Sequence, residues 1–164
     1  MVDSLAAVEI EVPPAFAVRT SRRASRSEIA AEMGAAFATL SAYATEHALT
    51  PAGPPRAMYT SWGEDGIEFT AEFPVVKPPY TLPPAPGVTA EMVAGGRMLR
   101  FTHVGSYEHI AQTYERITHW LVGQGLMSGP EDWSKFMPMW EEYLNDPATT
   151  PSGDLLTNIY LPKR

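Results

Sequence analysis

Cysteine is absent from the 164-residue sequence, which excludes disulfide bonds, thiolate catalysis and cysteine-based metal sites. The four histidines, His47, His103, His109 and His119, do not show the spacing of metal ligands. The sequence also lacks a phosphate-binding glycine loop, a dinucleotide fingerprint and the nucleophile elbow of serine hydrolases. We therefore predict that the protein holds neither a metal ion nor a cofactor.

Positive charge is scarce, since 12 lysines and arginines stand against 19 acidic residues, for a net charge of −7. Nucleic-acid-binding proteins need a basic surface, so direct contact with nucleic acid is not expected. No apolar run is long enough to span a membrane, and the N-terminal residues lack the basic and apolar segments of a secretory signal. These absences predict a cytoplasmic protein with no membrane partner.

Proline and glycine, by contrast, are abundant, with 16 and 12 residues. They concentrate in Pro51–Pro55, Pro74–Pro86 and Pro147–Gly153, which we interpret as loops. The stretch Val75–Gly87 lies midway along the chain and predicts an extended connector between two halves. A chain of this length suits one domain, which we place at residues 1–164.

In the first half, apolar residues alternate with glutamates over Val8–Val12, as in a half-buried strand. Ser25 and Glu28 match a capping box, and apolar residues then recur at helical spacing over 26–47. The other strands predicted here are Ala15–Thr20, Ala57–Trp62 and Ile67–Phe73. We interpret the basic residues of Arg19–Arg23 as solvated surface.

The second half repeats this order of elements. A helix is predicted to open at Gly105 and Ser106, because an apolar stripe follows at spacings of three and four residues. The stripe consists of Tyr107, Ile110, Tyr114, Ile117 and Leu121. The strands predicted in this half are Thr89–Val93, Arg97–Val104, Phe136–Leu144 and Asp154–Leu161.

The repeated order predicts an α+β fold of duplicated strand-helix-strand-strand units, over residues of about 6–76 and 88–164. Such units form an antiparallel sheet with two main helices on one side. The two halves would meet at a central cleft, which is a common position for a ligand site.

The strand Phe136–Leu144 holds two adjacent carboxylates among bulky apolar residues. Alternation places Glu141 on one face and Glu142 on the other. Since neither face is plainly polar, at least one carboxylate is expected among apolar groups, where it needs a cationic or proton-donating partner. The alternative is that the glutamate lies in solvent at a strand end, or pairs with Arg97 or Arg100.

Several motifs occur together in a specific order. They are Gly96-Arg97, His103-Val-Gly-Ser-Tyr107, Tyr114, Trp120-Leu121, Glu141-Glu-Tyr-Leu-Asn-Asp-Pro147 and Leu155-Leu-Thr-Asn-Ile159. In this combination the sequence resembles the GyrI-like small-molecule-binding family, which includes the effector-binding domains of multidrug-responsive bacterial transcription activators. The resemblance spans nearly the whole chain, and the second half carries the specific motifs. Because a strand already begins at Val8, we do not expect a complete transcription factor.

The resemblance implies that Glu141 lies at the base of an aromatic pocket and meets cationic, lipophilic ligands. Met137, Met139 and Tyr143 would share its strand face. The full set of candidate ligand-binding residues is Glu141, Tyr143, Tyr107, Trp140, Met139, Met137, Tyr59, Phe69, Trp133 and Tyr160. For each ring, plain core packing is the alternative. For His103 we predict a structural hydrogen bond to the backbone near the turn.

The predicted function is therefore the binding or sequestration of lipophilic, often cationic or planar aromatic molecules, including toxins. Some members of the family that the sequence resembles are enzymes that add water to cyclopropane-bearing toxins. A hydrolase of this kind, with Glu141 as the acid or base, is the alternative. A protein that inhibits a topoisomerase or another partner is a third class, for which the sequence offers no contact patch.

Overall fold

The computed structural model describes residues 5–163. It contains eight strands: β1 (Val8–Val12), β2 (Ala15–Ala24), β3 (Arg56–Gly63), β4 (Gly66–Pro74), β5 (Thr89–Val93), β6 (Gly96–Val104), β7 (Met139–Tyr143) and β8 (Leu156–Pro162). The two α-helices are α1 (Ile29–Glu46) and α2 (Ile110–Gly123). Short 3-10 helices cover Tyr107–His109, Pro130–Phe136 and Ser152–Asp154.

All eight strands form one antiparallel sheet in the order β1-β6-β8-β7-β3-β4-β2-β5. If each strand of the first half (β1 to β4) is exchanged with its counterpart in the second half (β5 to β8), the same strand order is obtained in the reverse direction. The two halves are therefore related by a pseudo-two-fold axis that passes between β7 and β3. Each half also lends a strand to the other, since β1 pairs with β6 and β5 pairs with β2. The predicted α+β class is confirmed, while the boundaries of the two repeats stay predictions.

Both helices pack on the same face of the sheet. On α1, Phe37 stacks on Phe73 of β4, with ring centroids 5.6 Å apart. On α2, Trp120 meets Phe101 of β6 edge-on at 5.6 Å. The strand registers place Phe73 and Phe101 on one face, because side chains alternate along each strand. This face holds the apolar core, and burial of its side chains stabilises the fold. None of the helices in residues 5–163 is long and apolar enough to cross a bilayer.

The start of α1 follows the predicted capping box in part. The Glu28 carboxylate accepts hydrogen bonds from the Ser25 hydroxyl at 2.7 Å and the Ser25 amide at 3.3 Å. The Ser25 hydroxyl therefore bonds to the carboxylate rather than to the helix amides. These residues form the turn before the helix, and the regular helix begins at Ile29.

The strand predicted over Phe136–Leu144 is shorter in the structure. Phe136 ends a 3-10 helix, and pairing begins only at Met139. Pro138 has no backbone N–H to donate to a neighbouring strand, so the alternation cannot extend back through Met137. The prediction that Met137 continues the strand face of Glu141 is therefore wrong.

A β-bulge in β3 changes which of its side chains share a face. Simple alternation places Tyr59 and Trp62 on opposite faces of this strand. The register shifts between Tyr59 and Ser61, so the strand carries one extra residue there. As a result Tyr59 and Trp62 share a face, and their ring centroids lie 5.3 Å apart.

The interpretation of Arg19–Arg23 as solvated surface is wrong for Arg19. Its guanidinium binds the carboxylate of Glu72 at 2.7 Å and that of Glu91 at 2.7 Å. Arg56 binds the other oxygen of Glu72 at 2.6 Å. The Glu72 side chain is fully buried, with an exposed fraction of 0%, so this Arg-Glu-Arg group is part of the fold. It lies on the sheet face opposite the helices.

Candidate functional site

Glu141 lies in the middle of β7, on the sheet face that carries both helices. Its exposed fraction is 6%, so the carboxylate is buried rather than at a solvated strand end. Three tyrosines from three elements surround it: Tyr59 of β3, Tyr114 of α2 and Tyr143 of β7. We call Tyr59, Tyr114 and Tyr143 the tyrosine cluster.

Within residues 5–163, every hydrogen bond to this carboxylate comes from a phenol of the cluster. The hydroxyls of Tyr143 and Tyr59 donate to Oε1 at 2.7 and 3.2 Å. The Tyr114 hydroxyl donates to Oε2 in a short hydrogen bond. Among residues 5–163, no lysine, arginine or histidine lies within 4 Å of the carboxylate. Neutral donors thus satisfy the oxygens, and no cation of this part of the chain pairs with the charge.

The pKa values of the three cluster phenols are raised well above 10.0. Burial is the largest cause for each phenol, because a low dielectric disfavours the phenolate. The negative charge of Glu141 is the second cause. The phenols consequently remain donors at neutral pH.

Further rings surround the tyrosine cluster. Tyr143 meets Phe37 of α1 at 5.9 Å and Tyr107 at 5.8 Å, both edge-on. Tyr114 meets Trp133 at 5.7 Å. Tyr107 retains an exposed fraction of 37%, which places it at the edge of the cluster toward solvent. Burial and the charge of Glu141 raise the pKa of the Tyr107 phenol as well.

His103 has a structural position, as the sequence predicted. Its Nε2–H donates to the Ser106 carbonyl at 2.9 Å, and its Nδ1 accepts from the Thr113 hydroxyl at 2.5 Å. The side chain is buried, with an exposed fraction of 3%. These bonds tie β6 to the start of α2, which helps to fix Tyr114 above Glu141.

A family model described as the GyrI-like small molecule binding domain matches residues 14–164. The chain belongs to this family. No curated protein matches the sequence.

Solved structures share the fold of this GyrI-like domain at low sequence identity. The EcmrR C-terminal domain is 14% identical with a TM-score of 0.71, and 96% of each chain is covered. In a complex of EcmrR with DNA the TM-score is 0.75 at 13% identity, and this chain covers 57% of EcmrR. SAV2435 bound to tetraphenylphosphonium is 11% identical with a TM-score of 0.67, covering 97% of this chain and 94% of that one. A hydrolase from Listeria innocua is 12% identical with a TM-score of 0.59, covering 95% and 90%.

Several predicted site residues of the GyrI-like domain lie on the helix-bearing face together. Tyr59 and Tyr143 contact Glu141 directly, and Met139 lies beside Tyr59 across the β3–β7 ladder. Phe69 packs against Tyr59, with ring centroids 6.4 Å apart. Tyr107 and Trp133 lie around the tyrosine cluster, where they contact Tyr143 and Tyr114.

Trp140 and Tyr160 do not join this group. The registers place them on the opposite face of the sheet, beside Glu142. The Tyr160 hydroxyl donates to Glu142 at 2.8 Å rather than to Glu141. Because the sheet separates the two faces, a ligand at Glu141 cannot contact these rings, and their assignment to one pocket with Glu141 is corrected.

Two residues at the site were not among the candidates. The sequence pattern places Tyr114 in the apolar stripe of α2, whereas its hydroxyl donates to Oε2 of Glu141. Phe37 belongs to the apolar residues at helical spacing in α1, and it contacts Tyr143. A hydroxyl on an otherwise apolar helix stripe must find an acceptor when buried, which was the available signal for Tyr114.

The rings close over the carboxylate in this structure. One cavity, of about 260 Å³, lies beneath the connector. Another, of about 30 Å³, lies beside Trp140 on the opposite face. Glu141 lines neither of these cavities, and its exposed fraction is only 6%. A ligand at this carboxylate therefore requires movement of the surrounding rings.

The raised pKa values of the tyrosine cluster predict a loss of stability at alkaline pH. An unfolded tyrosine ionises near pH 10, whereas the buried phenols resist ionisation. Their stabilising contribution is complete below about pH 10 and is lost as the pH rises toward the folded-state pKa values. Urea unfolding should show a falling free energy of unfolding above about pH 10, with a weaker fall in Tyr114→Phe. An equal pH slope in both proteins would contradict this assignment.

Proposed function

We propose that this GyrI-like domain binds lipophilic cations at Glu141. The observation that carries the proposal is a buried carboxylate whose hydrogen-bond partners among residues 5–163 are all neutral phenols. Phenols satisfy the oxygens, but they leave the unit negative charge uncompensated. Burying a charge without an opposite charge is costly, so a cation brought to this position gains a large share of its binding energy from the carboxylate.

The surrounding rings select which cations fit. The faces of aromatic rings attract cations within about 6 Å, each worth about 0.5–2 kcal/mol. The aromatic side chains nearest to the cluster are Phe37, Tyr107 and Trp133. A cation with delocalised or shielded charge loses little hydration on entering such surroundings. Lipophilic phosphonium or quaternary ammonium ions therefore match the site better than a hydrated primary amine.

Entry of the ligand occurs at the edge where Tyr107 is exposed. The rings of Tyr107, Tyr143 and Phe37 contact one another in sequence from this edge to α1. Rotation of Tyr107 and Phe37 opens a path to Glu141 without breaking the sheet. The cation then replaces one phenol beside the carboxylate. The structure of SAV2435 bound to tetraphenylphosphonium supports this ligand class, since that protein has the same fold.

Tetraphenylphosphonium and tetraphenylborate test the proposal, because the two ions have nearly the same shape and opposite charge. We expect calorimetry to give a measurable Kd for the phosphonium and no detectable binding for the borate. The control is the neutral triphenylphosphine oxide, for which weak binding by aromatic burial is expected. Equal affinities for the cation and the anion would refute charge recognition.

Hydrolysis of strained toxins remains the alternative prediction. A carboxylate next to hydroxyl groups has the elements of an acid–base catalyst. However, an ionised carboxylate offers about four acceptor positions, and three phenol bonds occupy most of them. Little capacity remains to hold a nucleophilic water, so the geometry favours binding.

A further inference from the structure

The cavity beneath the connector between β4 and β5 lies away from Glu141. It has about 260 Å³ and is bordered by β2, β5, α1 and the connector. Tyr43 of α1 lines it, whereas Phe37 of the same helix contacts the tyrosine cluster. Tyr43 follows Phe37 by six residues, and each residue turns an α-helix by about 100°, so the two rings lie on different sides of α1. The helix therefore separates the two positions, and a ligand in one does not contact the other.

Aromatic and apolar side chains line this connector cavity together with the polar side chains of Lys77 and Thr81. Phe16 and Tyr43 contribute rings from the body of the domain, and Tyr80 contributes one from the connector. Pro83 and Pro84 add flat apolar surface without any backbone N–H. Such a lining suits a planar apolar group stacked between rings and prolines.

Hydrogen bonds fix the connector over the cavity. The Tyr43 hydroxyl donates to the Pro83 carbonyl at 2.7 Å. At the start of the connector, the Val75 amide donates to the Phe16 carbonyl at 2.9 Å, and the Val76 amide donates to the Thr50 carbonyl at 2.8 Å. The cavity is thus formed before any ligand arrives, so little ordering of the chain opposes binding.

The charged residue that lines the cavity is a lysine, although the protein as a whole is acidic. The Lys77 ammonium lies 5.9 Å from the centroid of the Phe16 ring, at the edge of the cavity. None of the residues that line the cavity is acidic. Within residues 5–163, no carboxylate lies within 4 Å of this ammonium. An anionic group at the mouth would find a cation without an ion-pair partner in that part of the chain.

We propose that the connector cavity binds a small aromatic carboxylate. The aromatic ring lies between Phe16, Tyr43 and the prolines, and the carboxylate pairs with Lys77. The volume is slightly below the range of about 300–1,000 Å³ that encloses drug-sized ligands, so a one- or two-ring molecule fits better than a tetraaryl ion. The site thus has the opposite charge preference to the one proposed at Glu141.

Three naphthalene derivatives test this site: naphthoate, the neutral naphthamide and the cation naphthylmethylammonium. Ligand-observed NMR should give the tightest binding for naphthoate. Lys77→Gln should weaken the binding of naphthoate roughly two- to fivefold, as expected for the loss of a partly exposed ion pair. The binding of naphthamide should not change. Leu82→Trp should abolish binding of both, because Leu82 lines the cavity and a larger side chain fills it.

Two control variants make the result specific. Lys163→Gln removes a lysine that pairs with Glu9 near the opposite edge of the sheet, and it should not affect naphthoate. Glu141→Gln should not affect naphthoate either. Equal binding of naphthoate and naphthamide, or no change in Lys77→Gln, would overturn the proposal. A change of naphthoate affinity in Glu141→Gln, in either direction, would place the ligand at the tyrosine cluster and overturn the proposal as well.

Discussion

Glu141→Gln should weaken the binding of tetraphenylphosphonium about 30- to 100-fold, or about 2–3 kcal/mol, since it removes the negative charge beside the bound cation. Glutamine has nearly the same shape and keeps one carbonyl oxygen for the phenols of the tyrosine cluster. Binding of the neutral triphenylphosphine oxide should change by less than about threefold. Calorimetric titration of both ligands against both proteins measures the difference.

Glu142→Gln is the matched control for this substitution. Glu142 is the next residue of β7, it is half-buried, and it carries the same charge. Its carboxylate faces the other side of the sheet, where the Tyr160 hydroxyl donates to it at 2.8 Å. Its substitution should leave the Kd for tetraphenylphosphonium unchanged. If both variants lose affinity equally, the total charge of the protein explains the effect and the role of Glu141 is wrong.

The local part of the site could be predicted from the sequence. Period-two alternation in β7 separates Glu141 from Glu142 and puts Tyr143 beside Glu141, because this property depends on adjacent residues alone. The same alternation separates Trp140 from Glu141. The prediction that Trp140 lines one pocket with Glu141 disregards this alternation.

The non-local part of the site depends on the register of strands that are far apart in sequence. Tyr59 reaches Glu141 across 82 residues, and Tyr114 reaches it across 27. The bulge after Tyr59 also changes which side chains share its face, and no local pattern reveals it. The resemblance to the family implies a pocket position for Glu141, which stays a prediction, and it does not indicate the three phenols that donate to this carboxylate.

Glu72 shows why burial of a charged residue was missed. It belongs to the polar half of an alternating strand, with Glu68 and Thr70, and this pattern predicts a solvated face. Its partners Arg19 and Arg56 lie on the two neighbouring strands, 53 and 16 residues away. Only the sheet order brings them together, and their long side chains cover the carboxylate.

Glu72→Ala should therefore destabilise the protein by about 3–5 kcal/mol, because removing the buried carboxylate takes from Arg56 its ion-pair partner among residues 5–163 and leaves Arg19 with only the half-exposed Glu91. Arg19 and Arg56 have exposed side-chain fractions of only 15% and 12%, so water cannot fully replace the lost carboxylate. Urea unfolding followed by tryptophan fluorescence measures the change in the free energy of unfolding. A loss of this size is a large part of the total free energy of unfolding of a single domain.

Glu68→Ala provides the comparison on the same strand and the same face. Glu68 pairs with Arg23 at 3.0 Å, but both side chains are about half exposed, so the expected loss is at most about 1 kcal/mol. The contrast between two acids four residues apart isolates burial as the cause. Equal losses in the two variants would show that water reaches the Arg19 and Arg56 guanidinium groups in the folded state, and that the Arg-Glu-Arg group contributes no more than a surface ion pair.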